Sequence, residues 1–115
     1  MGTLSQVQKI RANGGATLDS RGQDYSGGGY AVALPDHETV VPAHIPWEIA
    51  LRDYRLMHAE TLAEQGNYLG AWIEDSTLVL DVSTIQHSKP IALSLAKRWH
   101  QRAIFNLDTM ETITL

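Results

Sequence analysis

Tyr68-Leu-Gly-Ala-Trp-Ile-Glu-Asp-Ser-Thr-Leu-Val-Leu-Asp-Val82 is the stretch on which the fold turns. Two runs rich in aromatic and branched side chains, 68–74 and 77–82, flank Asp75-Ser76, a polar pair suited to a tight two-residue turn. The pattern predicts a β-hairpin. Under the two-residue period of a strand, Leu78, Leu80 and Val82 share one face, and Asp81 falls on the other, towards Trp72 of the neighbouring strand.

Downstream, Ser88 is placed to cap a helix and Pro90 is tolerated in its first turn. Ile91, Ala92, Leu95, Ala96 and Trp99 then recur at helical spacing, with Arg98 and Arg102 suited to the negative end of the helix dipole. Ala103–Leu107, a turn at Asp108-Thr109 and Glu111–Leu115 predict a further hairpin. Upstream, Pro46 opens a run from Trp47 to Gln65 that contains no Gly or Pro before Gly66-Asn67, so one long helix is expected there. At 100° per residue Trp47, Leu51, Tyr54, His58 and Leu62 form one stripe, while Ile49, Leu56 and Ala63 lie almost opposite. Apolar surface on both sides needs two burials, one on a sheet and one on the N-terminal segment or another chain.

Nearer the N-terminus, Tyr30–Leu34 and Glu38–Val41 about Pro35-Asp36-His37 predict another hairpin, ended by Pro42. Residues 20–29, with Gly22, Gly27, Gly28 and Gly29 and no apolar period, are expected to form a flexible Gly-rich loop. Ala16–Asp19 is expected as a short strand. Ser5–Ala12, with Leu4, Val7 and Ile10 on one side and a stop at Asn13-Gly14-Gly15, makes 1–15 a helical N-terminal segment. Hairpins separated by helices lack the regular alternation of a doubly wound sheet. The expected fold is a single α+β domain over 1–115: two layers, with a mostly antiparallel sheet built from hairpins and two main helices packed on one face.

The chain has 115 residues, 43% hydrophobic and 19% charged, a globular composition with enough material for a real core. Nine basic against thirteen acidic residues leave a net charge of -4, and the basic ones are scattered. That disfavours a binder that tracks nucleic-acid phosphates. The absence of cysteine excludes a disulfide framework, a thiolate nucleophile and a Cys-ligated zinc site, and fits a reducing compartment. Met1–Ile10 lacks the continuous apolar core of a secretory signal, and no apolar run is long enough for a transmembrane helix. A cytoplasmic protein without a membrane partner is expected.

His37, His44, His58, His87 and His100 show no HExxH or HxH motif and no i, i+4 pair, so no metal site is expected. Ser26 lacks a GxSxG elbow, and the glycines after it match neither phosphate-binding fingerprint. No catalytic residue and no cofactor follow from spacing, and the chain reads more as a non-enzyme than an enzyme. Residues placed to bind a ligand are Arg21 and Tyr25 at the Gly-rich loop, His58 on the apolar stripe, Asp81 in its apolar strand, and Gln101 at a helix end.

Tyr68-Leu69-Gly70-Ala71-Trp72, Leu80-Asp81-Val82-Ser83 and the alanine-containing helix that leads to His100-Gln101-Arg102-Ala103-Ile104-Phe105-Asn106-Leu107 carry a resemblance. This combination resembles small uncharacterised proteins encoded by actinobacteria and their phages, which show the pattern YLGxW…LDVS…A…NQxAIFDL. The similarity covers about residues 68–107, with a fainter match at Gly29-Tyr30-Ala31-Val32. His100 and Asn106 stand where the pattern more commonly has Asn and Asp. The resemblance implies a phage or mobile-element origin and brings no activity with it.

The expected function is therefore a small cytoplasmic protein-interaction module. It would engage a protein partner, or a second copy as a homodimer, through Trp47, Ile49, Leu56 and Ala63. The alternative is a small-ligand-binding protein or small enzyme with its pocket near the Gly-rich loop.

Overall fold

The computed structural model describes residues 3–115, with side chains from Ser5 onward. Met1 and Gly2, which belong to the stretch read for a secretory signal, and the Leu4 side chain lie outside the described residues. In chain order the elements are α1 (Thr3–Asn13), β1 (Gly15–Leu18), β2 (Tyr30–Ala33), β3 (Thr39–Val40), α2 (Trp47–Met57), α3 (Ala59–Ala63), β4 (Asn67–Glu74), β5 (Thr77–Gln86), α4 (Lys89–Arg98), β6 (Ala103–Asn106) and β7 (Glu111–Thr114). Helices and an antiparallel sheet in this mixture make the protein α+β.

The hairpin of β4 and β5 forms as the sequence predicts, pairing from Glu74 with Thr77 to Asn67 with Thr84. Asp75 and Ser76 have φ of 50° and 64°, the two positive angles that a twist-matched two-residue turn demands. Neither is glycine, so the turn carries left-handed strain. Replacing Ser76 by Gly is expected to raise stability by about 1 kcal/mol. Thermal unfolding of Ser76→Gly checks this, and an unchanged melting temperature would show the strain to be relieved in some other way.

The described strands form one antiparallel sheet in the order β1-β4-β5-β2-β6-β7, with β3 also on β5. Here one expectation fails. Tyr30–Leu34 and Glu38–Val41 do not pair with each other; β2 lies along Ser83–Gln86 of β5, and β3 along Val79-Leu80 of the same strand. They are two pieces of one interrupted strand. From Ala33 to Thr39 the chain advances six residues while its partner on β5 moves only three, from Ser83 to Leu80. Pro35–Glu38 loops out between them, with Asp36 at φ 62°. Leu34 N–H to Val82 O, at 2.9 Å, and Val41 N–H to Leu78 O, at 2.9 Å, close the ladder on either side of the gap. Beyond its own hairpin, β5 offers a long row of backbone groups that must be paired, and a local 30–41 hairpin would have left that edge empty.

The expected continuous helix Trp47–Gln65 is likewise divided, into α2 and α3, at His58 (φ −108°, ψ 24°). The break falls where the His58 ring packs on Tyr54 and His37, with centroids 4.3 and 5.2 Å away. Beyond it, Leu62 N–H still bonds back to His58 O at 2.9 Å, and Leu62 stays in the core.

Leu78, Leu80 and Val82 of β5 are buried together with Leu69 and Ala71 of β4, Leu18 of β1, Val7 and Ile10 of α1, and Leu51 and Tyr54 of α2. Each fully buried leucine contributes about 2 kcal/mol of hydrophobic stabilisation. Val32, Ala92, Ala96 and Ile104 form a second cluster, with Trp99 packed against it. There α4 is capped as expected, the Ser88 hydroxyl accepting from Ile91 N–H at 3.4 Å. It ends with His100 at φ 57° and Gln101 N–H bonded to Ala96 O at 2.8 Å.

Candidate functional site

The strand break lies opposite Asp81. This residue sits at the middle of β5 between Leu80, which pairs with Thr39, and Val82, which accepts from Leu34. Its position alternates with the core leucines, so its side chain lies on the other face of the sheet, yet it is only 4% exposed. Gly70, directly across on β4, leaves the room it needs: a Cβ there would collide with the Asp81 carboxylate. The Ser83 hydroxyl donates to Asp81 Oδ1 at 3.2 Å. Burial pushes the Asp81 carboxyl up from 3.8 to about 6; the Ser83 hydrogen bond opposes that rise, the Glu38 charge adds to it and His37 lowers it. An aspartic acid so placed exchanges its proton close to neutral pH.

The looped-out segment brings its own groups. His37 Nδ1 lies 2.6 Å from Pro35 O, and because a carbonyl only accepts, Nδ1 carries the hydrogen. The Tyr54 hydroxyl donates to His37 O at 2.6 Å, tying the segment to α2. Burial, with Asp81 and Glu38 as further causes, raises the Tyr54 hydroxyl well above its usual value, so it remains a donor. His58 is held below its usual value by burial and by His37. Beside the segment is an open depression of about 430 Å³ lined by Ala33, Leu34, Asp36, Glu38 and Gln101. Ala33, in its lining, pairs with Ser83, whose hydroxyl donates to the buried carboxyl.

Of the residues expected to bind a ligand, His58 packs on His37, Asp81 feels the charge of the same histidine, and Gln101 lines the neighbouring depression. Arg21 and Tyr25 are elsewhere. Arg21 is exposed, its N–H bonded to Asp19 Oδ1 at 2.8 Å, and Tyr25 packs on Tyr68 with centroids 4.5 Å apart while its hydroxyl donates to Gly28 O at 2.8 Å. Their loop is tied down further by Tyr25 N–H to Thr17 O at 2.9 Å, Gly29 N–H to Asp108 Oδ2 at 3.1 Å and the Lys9–Asp24 ion pair at 2.8 Å. A smaller pocket of about 120 Å³, lined by Asp19, Ser20, Arg55, Ala59, Leu62 and Ala63, adjoins the start of that loop. Among the described residues no three His, Asp or Glu side chains gather as a metal-holding group.

The second place with functional character is the outer face of α2. Leu51 and Tyr54 are buried, whereas Ile49 is exposed and Leu56 and Met57 are 72% and 77% exposed. Ala63, at the end of α3, is exposed as well. Trp47, expected at the same interface, instead packs half-buried against the core with the Arg11 guanidinium 3.9 Å above its ring. No family model, curated protein or solved structure matches this chain. The function must be read from these two surfaces alone.

Sequence reasoning missed His37, Glu38 and Tyr54 as neighbours of Asp81, and Met57 on the α2 face. The role of Gly70 was legible: counting outward from Asp75-Ser76 pairs it with Asp81. Nothing in the sequence placed His37, because its position depends on β2 and β3 both choosing β5.

Proposed function

We propose that this protein is a small interaction module that engages a protein partner through the outer face of α2, centred on Ile49, Leu56 and Met57. One observation carries the reading: two large apolar side chains of adjacent position, Leu56 and Met57, stand more than two-thirds exposed on a helix whose Leu51 and Tyr54 are in the core. Clustered exposed apolar groups of this kind mark contact surfaces. Ala63, on α3 and lining the small pocket, and Trp47, packed on the core beside Arg11, stand apart from this surface.

The cysteine-free composition supports a cytoplasmic setting, and the resemblance of residues 68–107 to actinobacterial and phage proteins supports a mobile-element origin. A two-layer arrangement, with the helices against one face of the sheet, is supported by Leu80 and Val82 sharing clusters with helical residues while Asp81 and Ser83 alternate to the other face. A small-ligand protein is the second reading, supported by a depression lined by Asp36, Glu38 and Gln101 and by the buried Asp81 carboxyl, on which Glu38 acts electrostatically.

Replacing Leu56 by Glu tests the first reading. The position is exposed, so stability should change by no more than about 0.5 kcal/mol. Association, followed by sedimentation for self-contact and by retention of proteins from cell lysate for other partners, should be lost. Association that survives intact in Leu56→Glu would remove α2 as the contact surface.

A further inference from the structure

We propose that the occupant of the α2 face is a second copy of this chain, docked antiparallel about a two-fold axis that passes beside Arg52 and Asp53. The proposal rests on the interaction reading above and names its partner. At 100° per residue, Ile49, Arg52, Asp53, Leu56 and Met57 span an arc of about 140° on the side away from Leu51 and Tyr54. The two charges within this arc are opposite in sign and open to solvent, with side chains 64% and 59% exposed. Their mutual contact within the chain is 3.4 Å from Arg52 Nε to Asp53 Oδ1, longer than the roughly 2.7–2.9 Å of a strong charge-assisted bond. Both keep capacity for further partners.

Symmetry then does what a different protein would need a matched surface to do. An antiparallel helix pair with its axis midway between positions 52 and 53 brings residue i near position 105 − i of the other copy. Ile49 meets the partner's Leu56, and Arg52 meets the partner's Asp53. Ile49 and Leu56 face each other across the axis on either side of a cluster of two positive and two negative charges, while Met57, at the rim, meets the partner's Glu48. The same patch is therefore complementary to itself, as a two-fold contact requires. Each copy carries a net charge of -4, so the molecules as wholes repel, and a locally balanced patch is what lets them approach. An interface built on one three-turn helix lies below the roughly 1,200 Å² of tight complexes, so the dimer is a weak and reversible one.

Charge reversal of the full chain tests this. Arg52→Asp alone gathers four negative charges at the axis and Asp53→Arg alone gathers four positive ones. Each variant should weaken dimerisation by about tenfold or more in sedimentation equilibrium. An equimolar mixture of the two variants restores the balance of two and two, and should dimerise within about threefold of wild type. Circular dichroism confirms that both exposed substitutions leave the fold intact. A wild-type dimer indifferent to the reversals, or a mixture no better than either variant alone, would overturn the proposed axis. A wild-type chain that stays monomeric but loses a bound protein in Leu56→Glu would overturn the second copy and leave the interaction reading standing. A chain that neither self-associates nor binds any protein would overturn both.

Discussion

Asp81→Asn will be more stable than the wild-type chain at pH 8, by about 3 kcal/mol, and the difference will vanish near pH 4. The carboxyl has a value of about 6 in the fold against 3.8 when free, so the folded state holds the proton more tightly than the unfolded one. The stability contributed by protonated Asp81 is whole below about pH 4 and is lost as the pH rises through about 6. A displacement of about two units, at 1.36 kcal/mol each, sets the size of the effect. Asparagine keeps the shape and an oxygen to accept from Ser83, and replaces the ionisable oxygen by an uncharged NH2. The groups that face Asp81 are Ser83 beside it, Glu38 and His37 of the looped-out segment, and Tyr54 of α2. Denaturant unfolding of both proteins across this pH range measures the gap. Two curves that stay parallel would show that Asp81 is solvated and its proton is not coupled to folding.

Gly22→Ala should be the most damaging single-methyl change at the Gly-rich loop, at about 3 kcal/mol. Gly22 has φ 82°, which costs an L residue about 1 kcal/mol, and crowding against the buried Gln6 side chain adds about 2 more. The added Cβ would run into the Gln6 side-chain nitrogen and come within 3.0 Å of the Arg55 guanidinium. Those side chains join α1 and α2 beneath the loop. Gln6 is buried, and among the described residues neither its Oε1 nor Arg55 Nη2 has a hydrogen-bond partner. Burial holds the Arg55 guanidinium below its usual value, opposed by Asp19. Trimming Gln6 to Ala in the Gly22→Ala background makes room, and the double variant should recover about 1 kcal/mol relative to the sum of the single changes. Strict additivity would place the cost in the backbone alone.

Elements whose partners are neighbours in sequence were legible. The hairpin at Asp75-Ser76, α4 behind Ser88 and the terminal hairpin of β6 and β7 follow from local turn and cap chemistry, and α1 and β1 lie where Ser5–Ala12 and Ala16–Asp19 were expected. The failure at 30–41 has a different cause. Pro35-Asp36 is equally good chemistry for a hairpin turn and for a loop that leaves and rejoins one strand, and the choice is made by the free edge of β5, more than forty residues away. The division at His58 carries no Gly or Pro to announce it. On the candidate site, Asp81 and its face of the strand were identified but its burial was not; Glu38 and His37, which act on it, belong to the segment brought in by the misjudged strand pairing.

The interrupted strand also bears on how such a fold can diversify. Leu34 and Val41 anchor the two ends of the detour to β5 by separate hydrogen bonds, so the register on either side does not depend on how many residues lie between them. Lengthening that segment at exposed Asp36 costs chiefly loop-closure entropy, about 0.6 kcal/mol for each doubling. An insertion within β5 itself would shift every ladder it serves. The detour is thus the position where this architecture can acquire or exchange recognition sequence while its scaffold stays fixed, and any such graft would arrive beside a buried carboxyl already in place.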